Sequence, residues 1–144
     1  MVNHMGVSLL SPHTIEVHIA VRDASFDANR AVTSLSQSES IRAQRIIPPD
    51  RRSLFIFARV FLRRTLSFYL RTSAEAILLR PTGSGKPFVA LPADHPPLYF
   101  NMSHTGNLVA IAISGDRPVG VDVEEIRRIH NLTSLCARFL PPAE

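Results

Sequence analysis

The stretch Tyr99–Glu125, YFNMSHTGNLVAIAISGDRPVGVDVEE, decides how the rest of this chain is read. Apolar runs near 98–101, 108–114 and 118–124 predict three strands, with Ser114-Gly-Asp-Arg-Pro118 as a hairpin turn between the last two. Ser103 and His104 are neighbours at a polar corner ahead of the second run. On a strand, Asp122 and Glu124 share one face, and Val121 and Val123 share the other. Two carboxylates side by side repel unless a cation or a proton lies between them. Their oxygens suit Mg²⁺, which takes one or two carboxylates, keeps several waters and accepts substrate phosphates. A solvated strand edge is the plain alternative.

Working outward, residues 14–21 (TIEVHIAV) alternate and predict a strand. Residues 26–47 predict one or two short helices. Pro48-Pro49-Asp50 is a helix start, and residues 51–71 carry the clearest helical period in the chain. Leu54, Phe57, Ala58, Phe61, Leu62, Thr65, Leu66 and Tyr69 form its apolar stripe, with Arg52, Arg59, Arg63 and Arg64 off it. A linker at 72–74, a short strand at 77–80 and Gly/Pro-rich loops at 81–87 and 90–97 follow. A last helix is expected over 132–139. The fold class is α+β, with one long helix packed on a small, mainly antiparallel sheet.

The chain has 144 residues and 45% apolar content, enough for one domain with a modest core. Its formal charge of +4 predicts anionic partners without choosing among them. The single cysteine, Cys136, excludes an internal disulfide and a cysteine-rich zinc site. No run reaches membrane-span length, and no leader pattern is present, so a cytoplasmic location is the default. An arginine-rich helix raises nucleic-acid binding as a possibility. Its aromatics follow the apolar stripe instead of interleaving with the arginines, which argues against it.

Lys86 is the only lysine, in Gly83-Ser-Gly-Lys-Pro87. The P-loop pattern fails there, since Arg80 stands where its first Gly belongs and Pro87 where its Ser or Thr belongs. Glycine amides beside a lysine still suit an anion. Ser103 and His104 do not form a nucleophile–base pair on a regular strand, because adjacent residues point to opposite faces.

Taken in order, Gly85-Lys86-Pro87, Phe100-Asn-Met-Ser-His-Thr105 and Val119-Gly-Val-Asp-Val-Glu124 resemble the three motifs of the surfactin-type 4′-phosphopantetheinyl transferases, of the holo-acyl-carrier-protein synthase superfamily. The resemblance implies transfer of the phosphopantetheine arm of coenzyme A to a serine of an acidic acyl, peptidyl or aryl carrier protein, with adenosine 3′,5′-bisphosphate leaving. It implies Asp122 and Glu124 as Mg²⁺ ligands and catalytic residues. It implies Lys86, Pro87, Ser103 and His104 as coenzyme A contacts, with His104 near the 3′-phosphate, and adds Arg42 and Arg52 (or its neighbour Arg51) more loosely. Neither nucleic acid nor membrane is implied as a partner. The family has two similar halves, and its second-half motif, approximately W-x-x-K-E-A-x-x-K, has no counterpart here. Residues 1–130 are therefore expected to form the N-terminal lobe and 131–144 the connection to a second lobe, with the chain weak or inactive alone. The alternative is a non-catalytic remnant, or an anion-binding module that keeps the coenzyme A site.

Overall fold

The computed structural model describes residues 10–83, 85–126, 134, 137 and 138. The expected last helix and the connection over 131–144 fall largely outside the described residues. In chain order come β1 (Ile15–Val21), α1 (Ala28–Ala31), a 3₁₀ turn (Val32–Ser34), α2 (Gln37–Gln44), α3 (Pro49–Leu70), β2 (Leu79–Pro81), β3 (Pro87–Val89), β4 (Tyr99–Thr105) and β5 (Leu108–Ser114). The α+β expectation holds.

The helix α3 starts where its sequence says it should. Pro49 occupies the first turn, where a missing N–H costs nothing. Asp50 adds negative charge at the positive end of the helix dipole. The helix ends at Arg71, whose φ of 48° is left-handed. Ser36 caps α2 in a reciprocal capping box with Glu39.

The main sheet has the order β1-β5-β4, antiparallel throughout, so β5 is laddered on both sides. One face packs on α3: Leu62, Leu66 and Ala58 meet Val109, Ile111, Ile113 and Phe100. The far side of α3 carries a second cluster, where Ile56 and Val60 meet Ala43, Phe26 and Leu35 of the α1–α2 region. The order of layers is thus sheet, α3, then α1–α2. Glu16 and His18 of β1 reach Tyr69 of α3, whose hydroxyl donates to Glu16 Oε2 at 2.7 Å and lies 2.5 Å from His18 Nε2.

Three expectations need correction. The turn that follows β4 is Gly106-Asn107, a two-residue hairpin pairing Thr105 with Leu108. Gly106 takes a φ of +54°, which a first central residue of a mirror-image turn requires. Ser103 and His104 therefore lie within β4, not at a corner. Next, the loop expected over 81–87 is narrower, because Pro81 and Pro87 pair at the ends of a second hairpin, β2–β3, with Thr82 N bonded to Lys86 O at 2.8 Å. Finally, residues 118–126 form no ladder strand.

Arg59 and Arg63 were placed off the apolar stripe, yet both are buried. Arg63 is satisfied in place. Its Nε donates to Glu39 Oε2 at 2.8 Å, and its Nη1 to the carbonyls of Ala74 and Ile77. A helical period counts charged residues as solvent-facing, and it has no way to see a carboxylate waiting on α2.

Candidate functional site

The strand β4 separates two sets of polar groups, because its side chains alternate between faces. Phe100, Met102 and His104 belong to the α3 side. There they line a cavity of about 220 Å³ together with Arg42, Phe55, Arg59, Lys86 and Pro87. Ser103 and Thr105 belong to the other face by strand alternation, while Asn101 between Phe100 and Met102 also borders the cavity. The adjacent Ser103 and His104 thus serve different surroundings, as strand geometry requires.

On the Ser103 side, the unladdered segment runs beside the free edge of β4. Ser103 Oγ donates to Asp122 Oδ1 at 2.7 Å and accepts from Val123 N at 3.3 Å. Thr105 Oγ1 accepts from Glu125 N at 3.4 Å. These contacts advance together along both chains, so the segment is parallel to β4 but tied through hydroxyls instead of a backbone ladder. The alternation expected of a strand survives. Val119, Val121 and Val123 turn inward, while Gly120, Asp122 and Glu124 are exposed. Asp122 and Glu124 therefore share an outer side, with Asp122 oriented by a serine hydroxyl.

Lys86 links the two sides. It lines the cavity, and its Nζ donates to Val119 O at 3.4 Å, at the start of the carboxylate-bearing segment. Its position depends on the hairpin tip, where Gly85 takes a φ of +81°.

Arg42 and Arg59 lie over the ring of Phe55, with guanidinium carbons 5.5 and 5.4 Å from its centroid. Burial pushes the Arg59 guanidinium below its ordinary range, against the opposing charge of Glu39; Arg42 and Arg63 push it further down. Sequence reasoning did not nominate Arg59. The available signal was an arginine set one helical turn from Phe55 on α3.

Of the sequence candidates, the structure gathers Arg42, Lys86, Pro87 and His104 in one cavity, and Ser103 with Asp122 beside it. Arg52 is not among the cavity residues; its Nε donates to Ile46 O at 2.9 Å. A larger groove of about 710 Å³ lies on the opposite flank of α3, around Phe26, Phe57 and Phe61, and holds none of the motif residues.

Two carboxylate side chains, one already oriented, fit an oxygen-seeking ion that completes its shell with water and ligand phosphate. Among the described residues, no group of three or more His, Cys, Asp or Glu side chains could hold a metal ion. No helix among them is long and apolar enough to cross a membrane.

A family model described as 4′-phosphopantetheinyl transferase, N-terminal, matches residues 23–115, more than half of the chain. The match includes Arg42, Arg59, Lys86, Ser103 and His104 and stops short of Asp122. The chain is 34% identical over 111 residues to 4′-phosphopantetheinyl transferase HetI of a Nostoc species, covering 77% of this chain and 47% of that one. A phosphopantetheinyl transferase of a Thraustochytrium species is 34% identical over 114 residues, covering 78% and 39%. The L-aminoadipate-semialdehyde dehydrogenase-phosphopantetheinyl transferase of Xenopus laevis is 31% identical over 102 residues, covering 61% and 34%. The chain spans less than half the length of these relatives. With its matched N-terminal region and the motif residues gathered around β4, this chain belongs to the 4′-phosphopantetheinyl transferase family.

Proposed function

We propose that this chain supplies the coenzyme A and Mg²⁺ side of a surfactin-type 4′-phosphopantetheinyl transferase that modifies carrier proteins. The observation that carries the reading is the arrangement about β4, with a cationic cavity on one face and an oriented carboxylate on the other, linked by Lys86. Coenzyme A carries a diphosphate and a phosphomonoester. Arg42, Lys86 and His104 offer charged or hydrogen-bonding groups to them from three separate elements. Phe55 and Met102 supply apolar wall for the nucleotide's uncharged parts.

In the reaction, the carrier serine oxygen forms a bond to the phosphorus that bears the pantetheine arm. The bond from that phosphorus to the bridging oxygen breaks, adenosine 3′,5′-bisphosphate leaves, and the serine proton passes to a base. Asp122 and Glu124 would hold Mg²⁺, which neutralises diphosphate charge when bound. This chain's own part is to hold the diphosphate still and screened. Lys86 positions it from the hairpin tip, and Ser103 fixes the rotamer of Asp122. In-line phosphoryl chemistry depends mostly on such positioning and charge.

The family's whole activity, its acidic carrier partner and the pairing of residues 1–130 with a second lobe through 131–144 belong to the same proposal. Incubation of this chain joined to a second lobe of the family with coenzyme A, Mg²⁺ and an apo carrier protein, followed by intact-mass analysis, tests it. Loading that disappears in Asp122→Ala supports the reading. Coenzyme A binding without loading favours the anion-binding module instead, and the absence of both sinks the reading.

A further inference from the structure

The cavity beside β4 holds more positive charge than its described neighbours neutralise. Arg42, Arg59 and Lys86 all line it. Among the described residues, the carboxylate paired with Arg59 is Glu39, and Glu39 also serves Arg63. Its two oxygens are used unequally. Oε2 accepts from Arg63 Nε at 2.8 Å, from Ser36 N at 3.0 Å and from Ser36 Oγ at 2.9 Å. Oε1 is buried with no hydrogen-bond partner, and Arg59 Nε lies 3.9 Å from it, too far for a hydrogen bond.

Arg59 is thus steered by Glu39 without being saturated by it. The guanidiniums of Arg42 and Arg59 converge on one phenyl ring. Like charges brought together repel, and a nearly buried cation shared with only half a counter-ion is expensive. A dianionic phosphate entering the cavity relieves both. Arginine is suited to it, because the planar fork binds two phosphate oxygens at once.

We propose that Arg59 is a phosphate-binding residue of this cavity, acting with Arg42 beside Phe55 and positioned by Glu39. The anion site stands on geometry. That its natural ligand is the phosphomonoester of coenzyme A rests on the functional reading above. Glu39 acts through Arg59 and is a positioning residue.

The test is calorimetric titration of the chain with coenzyme A, 3′-dephospho-coenzyme A and inorganic pyrophosphate, using wild type, Arg59→Met, Arg59→Lys and Glu39→Gln. Wild type is expected to prefer coenzyme A over the dephospho form by about 10- to 100-fold, the usual range for charged hydrogen bonds. Arg59→Met should erase most of that preference, and Arg59→Lys should reduce it, because charge is kept but the fork is lost. Glu39→Gln should weaken coenzyme A binding several-fold, with no further loss when combined with Arg59→Met. A merely structural role would weaken both ligands equally and leave the preference intact. If Arg59→Met does not melt cooperatively, Arg59→Lys carries the same comparison. A folded variant that keeps the full preference overturns the proposal and leaves the coenzyme A reading standing. Pyrophosphate binding that depends on Arg59, without coenzyme A binding, upholds the anion site and removes the coenzyme A reading. Binding of none of the three ligands overturns both.

Discussion

Residues 108–114 and 118–124 carry the same strand signal, a run rich in β-branched side chains, and the molecule treats them differently. The first becomes β5, laddered to β1 on one side and β4 on the other, with Val109, Ile111 and Ile113 closed against α3. The second starts at Pro118, which lacks a donor, and runs along the free edge of β4, held by the hydroxyls of Ser103 and Thr105. Its inward valines keep the strand alternation while its backbone stays outside the sheet. One region makes the scaffold. The other offers carboxylates on a backbone held by few bonds, which favours local adjustment around a ligand.

The strongest way to break this contrast is in the scaffold. Ile111 is fully buried, so Ile111→Ala should cost about 2–5 kcal/mol through lost burial and a residual cavity. Chemical denaturation would measure it, and a loss under about 1 kcal/mol would mean that β5 is not the closed centre of the fold.

Next in size is the tie between β1 and α3. Burial, followed by the hydrogen bond to Glu16 and its charge, raises the Tyr69 phenol well above its ordinary value near 10. The neutral phenol is therefore the folded form. Its contribution is complete below about pH 10, where phenols in the unfolded chain begin to ionise, and is lost as the pH rises toward the folded value. Melting temperature should fall above pH 10 in wild type and fall less in Tyr69→Phe. Identical alkaline slopes would remove Tyr69 from this role.

Ser103→Ala should be milder, about 1 kcal/mol or less, because the hydroxyl it removes ties an exposed segment. Its effect should be local. Amide exchange at Val123 should speed up while β5 amides stay protected, and a uniform speeding of both would show the two regions to be one cooperative unit. Glu124→Gln should be the smallest, within about 0.5 kcal/mol on stability, while Mg²⁺ affinity in the presence of coenzyme A falls. Unchanged metal affinity would take Glu124 out of the proposed site.

Much of the candidate site's geometry was legible because its motifs are short and its spacing is local. Gly85-Lys86-Pro87 reads as a turn from its glycine, and Asp122 and Glu124 share a side by strand alternation alone. Arg59 was not legible. Its burial depends on Glu39, which lies on another helix and is itself fixed by the Ser36 capping box. Arg52 was nominated through a loose match to the family's basic coenzyme A contacts, but it turns back to the Ile46 carbonyl.

The sequence by itself determined the helix α3, the β1 strand, the α+β class and the order of the three motifs, since local period, turn residues and side-chain chemistry suffice for those. Only the tertiary structure decided that residues 118–126 stay off the ladder and that two arginines of α3 lie inside. Each of these depends on a partner distant in sequence. Hydrogen-bond acceptors and counter-charges from other elements set the cost of burying a polar group, and a linear pattern does not contain them.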